Sequence, residues 1–349
     1  MFKKIFFFLL GPLLLLFPAF YNGYPLVYSD TGTYIQSGME ILIPNDRPIF
    51  YGLFIRIFSL GFSLWLVIYM QALISFYCLF KLSKIAYQQL SHGSFMLLLL
   101  PLSLFSGLSW YSSQIMPDIF SFYVLASLIL LLYRTEENKI HRALYALIFI
   151  FSLQVHFSNS IILLGLVLSL FLLDKSGLMR AQIQFKFRPT LILFALSLLL
   201  ASGLNYTIDS SFKITKGGHV FLMGKMLDSG VLQSFLNDKC EDQEFSLCAY
   251  KDQLPEDSRS LLWSEESPLI LEGGWQATEE SYRQILFGIL TSPKHLALYT
   301  YNAAYSSLSQ LVQIDLGSGL ESNWYREASS PPYTQIEKHF KLELKPYLQ

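Results

Sequence analysis

Long apolar segments separated by short polar loops fill the first 205 residues of the chain. About 20 apolar residues in a helix are enough to cross the hydrocarbon core of a bilayer. The pattern therefore predicts seven transmembrane helices, with an additional interfacial helix at 49–60. The predicted spans are 5–21, 62–80, 94–109, 117–133, 143–155, 160–173 and 190–204.

The first apolar segment has two interpretations. A cleaved signal peptide would begin in the same way, with Lys3 and Lys4 before an apolar run. No small-x-small cleavage site follows clearly, however, and several more spans come later. These features favour an uncleaved first transmembrane helix.

Basic residues recur in every second loop of this region. They are Lys3 and Lys4; Lys81 and Lys84; Arg134, Lys139 and Arg142; and Lys175, Arg180, Lys186 and Arg188. Because loops rich in Lys and Arg stay in the cytoplasm, we expect the N-terminus and these loops to be cytoplasmic. The loop at 22–48 and the turns near 110–117 and 156–159 are then expected on the outer face.

The composition changes after residue 205, so the sequence predicts a transmembrane domain at 1–205 and a separate region at 206–349. Residues 206–282 are polar and are expected to be extracytoplasmic. In that compartment Cys240 and Cys248 are predicted to form a disulfide, since a metal site would need more ligands. Residues 283–314 favour an amphipathic pair of helices on the membrane surface over an eighth span. The tail after Asp315 is expected to be irregular and to end in a short charged helix.

Composition agrees with a membrane protein. The chain is 52% hydrophobic and only 15% charged, whereas soluble domains carry roughly 25% charged residues. The net charge of −1, without a basic patch, gives no reason to expect a nucleic-acid partner. The predicted fold class is an all-α polytopic membrane protein with seven transmembrane helices, or eight if 283–314 also spans.

The stretch from Tyr28 to Tyr51 contains the earliest acidic residues of the chain, beginning with Asp30. A carboxylate just outside a membrane span could act as a general base on a polar substrate at the bilayer surface. The alternative is that Ser29-Asp30 caps a helix at 31–42. The two roles are compatible.

Two more charged residues are predicted on the same face. The planar guanidinium of Arg47 suits phosphate recognition, although an interfacial arginine can also simply extend towards water. Asp118 follows Pro117 and could contact a sugar hydroxyl or a metal ion. An acid at the start of a helix is, however, a common structural feature.

Two histidines complete the set of candidates. His156 lies at the outer end of a predicted span, where an ionisable residue indicates function by default; a core histidine bonded to Ser or Asn is the alternative. His219 follows Gly217-Gly218, and this turn lacks the spacing of a phosphate-binding P-loop. No H-E-x-x-H, G-x-S-x-G or G-x-G-x-x-G motif supports a metalloprotease, a hydrolase or a dinucleotide-binding enzyme.

A first span, an outer loop with Ser29-Asp30, and Pro117-Asp118 at an outer helix start resemble the GT-C superfamily of membrane glycosyltransferases. The resemblance covers the architecture of 1–205 and only a few motif residues. It implies transfer of a sugar from a polyprenyl-phosphate donor to a lipid, glycan or protein acceptor at the outer face of the bacterial inner membrane. It also implies that Asp30 is the catalytic base and that Arg47, Asp118, His156 and His219 contact substrate. A divalent metal could assist, but no ligand set demands one.

Two other classes of function remain open. A transporter or an assembly factor for envelope polysaccharide would be non-enzymatic, and polar residues at mid-membrane would support transport. The polar residues here gather at the outer ends, which favours surface chemistry. A membrane acyl- or phospho-group transferase would instead use His156 or His219 as its base.

Overall fold

The computed structural model describes residues 2–132, 138–177, 187–313 and 329–344, and this part of the chain is helical with no strand. Contacts divide it into two compact units. The first unit contains 2–44, 48–132, 138–177, 187–214 and 329–344, and the second contains 45–47 and 215–313. Two predictions concern residues outside this described part. They are the basic residues Arg134, Arg180 and Lys186 and the irregular tail at 315–328.

Eleven helices form the main part of the first unit as the structure describes it. They are α1 Phe2–Leu10, α2 Phe17–Asn22, α3 Thr31–Glu40, α4 Phe50–Phe58, α5 Leu64–Ala86, α6 His92–Phe105, α7 Leu108–Ser113, α8 Ile119–Leu132, α9 Lys139–Val155, α10 Phe157–Lys175 and α11 Phe187–Asp209. A 3-10 helix, Gly11–Leu16, joins α1 to α2. Side-chain caps begin two of these helices, since Ser91 accepts from the Ser94 N–H and Asn138 from the Ile140 N–H.

Several long apolar helices indicate a membrane-embedded protein. Four helical segments within the described residues have the length and hydropathy needed to cross a bilayer: Ile5–Asn22, Leu64–Ala86, Phe157–Lys175 and Arg188–Asp209. The three other predicted spans correspond to the helices α6, α8 and α9, which are 14, 14 and 17 residues long. About 20 residues cross a bilayer without distortion. The total of seven or eight spans therefore stays a prediction.

The second unit is a small helical assembly with its own core. Its helices are α12 Gly218–Asp228, α13 Val231–Lys239, α14 Ser258–Trp263, α15 Pro268–Leu271, α16 Gly274–Ala277, α17 Glu279–Thr291 and α18 Pro293–Leu311. Helices α12 and α13 are separate because Gly230 adopts a left-handed φ of 69° between them. The disulfide between Cys240 and Cys248 joins the end of α13 to a 3-10 turn, Ser246–Tyr250.

The last described helix, α19 Pro331–Leu344, returns to the first unit. It buries Tyr333, Ile336 and Phe340 in the core of that unit. This differs from the sequence prediction, which assigned 206–349 to one extracytoplasmic region. The difference arises because an apolar face at i, i+3 and i+7 in a mostly polar tail needs a partner surface, and the sequence does not say which surface that is.

Helix α3 is held between α4 and α19 by close backbone approaches at glycine. A Cβ on Gly38 would lie 1.9 Å from the carbonyl oxygen of Gly52 on α4, and one on Gly32 would lie 2.5 Å from that of Pro331. Glycine is required at both positions because any side chain would push the helices apart. The helix that begins immediately after Asp30 is therefore fixed from two sides.

Candidate functional site

Backbone bonds attach the segment before α3 to the end of α7. The Leu26 N–H donates to the Ser113 carbonyl at 2.9 Å, and the Ile115 N–H donates to the Leu26 carbonyl at 2.8 Å. The buried Thr31 hydroxyl donates to the Ile115 carbonyl at 3.1 Å. These bonds hold the turn that carries Asp30 beside the turn between α7 and α8.

A buried, uncharged network lies behind this junction. Gln71 on α5 is 0% exposed, and its amide donates to the carbonyls of Ser112 and Gln114 at 3.3 and 2.9 Å. The Tyr51 hydroxyl donates to the Gln71 side-chain oxygen at 2.6 Å, and the Tyr123 hydroxyl donates to the Gln71 carbonyl at 2.6 Å. A fully satisfied network of this kind specifies one arrangement of its backbone partners. The α7 end is thus fixed by three other helices.

The sequence analysis did not identify this network. The available signal is a single glutamine inside an otherwise apolar span, followed by Ser75 one turn later on the same face. Polar side chains in such a span require internal partners. Their identity depends on helix packing, which the sequence pattern alone does not give.

Asp30 occupies the N-cap position of α3, but its side chain makes no capping hydrogen bond. The Ser29 hydroxyl approaches the Asp30 carboxylate at 3.4 Å. The structure therefore does not support the interpretation of Asp30 as the side-chain cap of its helix. The Asp30 side chain is partly exposed.

Asp118 and His156 come from two further loop ends and lie near Asp30. Protein atoms around the surface carboxyl group of Asp118 displace water and raise its pKa; the nearby His156 opposes this shift, and the negative charge of Asp30 adds to it. Partial burial raises the pKa of the Tyr28 hydroxyl, and Asp118 and Tyr111 raise it further. The Asp118 carboxyl and the Tyr28 hydroxyl are therefore both perturbed by nearby ionisable side chains of the first unit.

The junction between α9 and α10 places His156. The His156 ring Nδ1 and the Ser158 hydroxyl are 2.7 Å apart and share a hydrogen bond. Nearby, the buried Asn159 accepts from the Ser121 hydroxyl at 2.8 Å and donates to the Ser152 carbonyl at 2.7 Å. These bonds tie the α9–α10 junction to α8, at whose start Asp118 lies. His156 itself is exposed.

The remaining two predicted substrate ligands belong to the second unit. The Arg47 guanidinium forms an ion pair with the neighbouring Asp46, in which both side chains are 10% exposed. Its Nε donates to that carboxylate at 2.7 Å. The His219 ring is nearly buried, and its Nε2 donates to the Trp275 carbonyl at 2.8 Å. Both side chains thus have structural partners within their own unit, and their contact with a substrate stays a prediction.

The side chains of the first-unit group are of the types suited to proton transfer and to the recognition of polar groups. Two carboxylates and one imidazole can accept protons, and two phenols can bind hydroxyl or phosphate oxygens. Among the residues that the structure describes, no group of three or more His, Cys, Asp or Glu side chains has the arrangement of a metal site. We call the group Tyr28, Asp30, Tyr111, Asp118 and His156 the outer-loop cluster.

Comparison of the chain with models of known families, with curated proteins and with solved structures finds no match. The function therefore has to be argued from the chemistry of the cluster.

Proposed function

We propose that this protein is a membrane glycosyltransferase of the GT-C kind, which moves a sugar from a polyprenyl-phosphate carrier to an acceptor at the outer face of the bacterial inner membrane. The observation that carries the proposal is that Asp30 and His156 both lie close to the carboxyl group of Asp118. All three lie in loops that the distribution of basic residues assigns to the outer face. A lipid-linked sugar would present its phosphate and its sugar at the same level.

In this reaction Asp30 is the general base. It takes the proton of an acceptor hydroxyl as the acceptor oxygen bonds to the anomeric carbon, and the bond from that carbon to the carrier phosphate breaks. The phosphate leaves on the lipid with the bonding electrons. His156, when protonated, attracts that phosphate. Asp118 binds sugar hydroxyls, for which a carboxyl with a raised pKa can act as donor or acceptor.

Seven spans and a cytoplasmic N-terminus are part of the proposal. The four long apolar helices support it. Helix α18 is not among them, although it has 19 residues. Tyr301, Tyr305, Leu308 and Val312 form an exposed apolar stripe on and just after it. This pattern supports a helix on the membrane surface, as the sequence predicts.

A second candidate is an acyl- or phospho-group transferase. The influence of His156 on Asp118 favours it, because an acid beside a histidine is the usual arrangement for raising the basicity of the imidazole. In that reaction His156 is the base and Asp30 is dispensable. His219 is a weaker choice because its ring is occupied by the Trp275 carbonyl.

The experiment is a transfer assay on the full chain in native lipids, with a panel of polyprenyl-phosphate sugars and labelled acceptor lipids. Asp30→Asn is compared with His156→Gln and with Asp252→Asn, a matched control on the second unit. Loss of sugar transfer by about 10²- to 10⁴-fold in Asp30→Asn alone or together with His156→Gln supports the glycosyltransferase. Turnover that survives Asp30→Asn but not His156→Gln favours the second candidate.

A further inference from the structure

We propose that a groove between the first helical segment and α6 binds one anionic phospholipid. We call it the α1–α6 groove. Its lining consists of Phe6, Phe7, Leu10, Gly11, Leu14, His92, Gly93 and Met96. The proposal concerns a binding site that is separate from the outer-loop cluster and does not depend on the proposed reaction.

The shape of the α1–α6 groove suits a hydrocarbon chain. Its volume is about 700 Å³, within the range of ligand sites. The hydroxyl of Ser103 on α6 donates to the Leu14 carbonyl at 2.7 Å and joins the two walls at one point. At Gly93 a Cβ would meet only the Ser91 hydroxyl, at 3.9 Å, so this part of the wall opens into free space. Every lining residue except His92 is apolar.

Positive charge lies close to the groove. The His92 ring stacks on Phe80 with centroids 5.7 Å apart and meets the edge of Phe7 at 4.4 Å. The ammonium group of Lys84 lies 5.0 Å from the centroid of the same Phe80 ring. A histidine in the lining and a lysine one aromatic ring away are arranged to receive a phosphate headgroup. Basic groups beside apolar clefts between membrane helices are typical of anionic-lipid sites.

The apolar walls and the nearby positive charge together favour an anionic lipid as the ligand of the groove. A neutral lipid would fill the groove but bring no anion to Lys84, and a soluble anion would leave the apolar walls empty. An anionic phospholipid satisfies both. The first wall belongs to Ile5–Asn22, a segment able to span a bilayer. In a bilayer this wall would be surrounded by lipid acyl chains.

The charged end of the groove is separate from the outer-loop cluster. Lys84, near that end, and Gln71, which supports the cluster, lie 13 residues apart on α5, which corresponds to roughly 20 Å along the helix. A lipid headgroup held at Lys84 therefore does not reach the cluster.

The test is native mass spectrometry of the full, delipidated chain titrated with phosphatidylglycerol or with phosphatidylcholine of the same acyl chains. Gly93→Leu fills the groove, and its control is Gly165→Leu, at a helix position where a Cβ meets nothing within 4 Å. Lys84→Gln removes the charge, and its control is Lys175→Gln. The Lys175 ammonium likewise lies over an aromatic ring, 5.8 Å from the Phe171 centroid.

We expect the wild type to bind phosphatidylglycerol more tightly than phosphatidylcholine. Gly93→Leu should weaken both by about tenfold, and Lys84→Gln should weaken phosphatidylglycerol alone by about fivefold. The two controls should bind like the wild type. Equal affinity of the wild type for the two lipids, or loss of binding in the controls to the same extent, overturns the proposal. If Gly93→Leu fails to fold by circular dichroism, the Lys84→Gln comparison decides.

Discussion

Two histidines, one in each unit, show how differently the same residue type is used. His156 is exposed at the junction of α9 and α10 and lowers the pKa of a neighbouring carboxyl group. His219 is 9% exposed and donates to the Trp275 carbonyl. From the sequence both were candidates for substrate contact. The contrast teaches that two histidines with the same sequence-based expectation can differ in exposure and in whether the ring is occupied by a structural partner.

The outer-loop cluster also differs from several ion pairs of the second unit. In the second unit Arg47 is paired with Asp46, and Asp238 is paired with Lys294 and lies 3.3 Å from His295. Opposite charges there compensate one another locally. In the first unit, Asp118 lies near both Asp30 and His156, and its pKa is raised. Perturbed groups of this kind cluster at functional sites.

The histidine comparison predicts the largest effect. His156→Ala should lower transfer activity by about 10²-fold or more and leave the melting temperature unchanged. His219→Ala should instead lower the free energy of unfolding by about 1–3 kcal/mol, because a buried carbonyl loses its donor. Activity per folded molecule and thermal melts in detergent measure the two effects. A reversal of the two phenotypes would contradict the distinction between the units.

The next effect concerns the support of α3. Gly38→Ala should destabilise the protein by about 1–3 kcal/mol, because its Cβ overlaps the Gly52 carbonyl. Gly165→Ala is the matched control on an open helix surface, and there alanine should stabilise by up to about 1 kcal/mol. Denaturant titration in lipid bicelles compares them. A change in the free energy of unfolding of the same sign in both variants would show that α3 and α4 do not approach as closely as described.

A smaller effect is expected from Asp118→Asn. The folded protein raises the pKa of this carboxyl above its usual value of 3.8. Its contribution to stability is therefore present at low pH and is lost as pH rises through the raised pKa. Asparagine has no ionisable carboxyl group, so the variant does not lose stability in this way as the pH rises. Melting temperatures at about pH 4 and about pH 7 should show the variant gaining on the wild type as pH rises, and the opposite trend would refute the cause assigned to the shift.

The smallest effect belongs to the tail. Lys338 on α19 pairs with Glu40 at the end of α3, and this contact lowers the pKa of Glu40. Lys338→Ala should cost less than about 1 kcal/mol. Stability from Glu40 is present above its unfolded pKa and is lost as pH falls through the lowered value. A loss of several kcal/mol in the thermal melt would mean that the pair, rather than the apolar face of α19, holds the tail.

The sequence pattern was sufficient for some of these features. Apolar runs predicted α5, α10 and α11 closely, because burial and membrane insertion both depend on local hydropathy. The alternation of basic loops also predicts that Asp30, Asp118 and His156 share one face of the membrane, and in the structure Asp30 and His156 each lie near Asp118. Features that depend on local composition could thus be predicted from the sequence.

Contacts between distant segments of the chain could not be predicted from the sequence. The bridge from Leu26 to Gln114 and the return of α19 to α3 join residues far apart in the chain. The pairing of Arg47 with Asp46 involves neighbours, yet the sequence suggested a phosphate ligand because residue type alone does not reveal which partner a charge selects. The number of spans stays open for another reason, since α6, α8 and α9 have 14, 14 and 17 residues, fewer than the about 20 that cross a bilayer.

The central claim is that the outer-loop cluster acts as one site. The most direct measurement is a double-mutant cycle of transfer activity with Asp30→Asn, Asp118→Asn and the combined variant, in full-length protein in native lipids. Residues that act as a unit are strongly non-additive, so we expect each single variant to lose activity and the double variant to lose scarcely more than Asp30→Asn. An unchanged rate in Asp118→Asn, or losses that simply multiply in the double variant, would contradict the account.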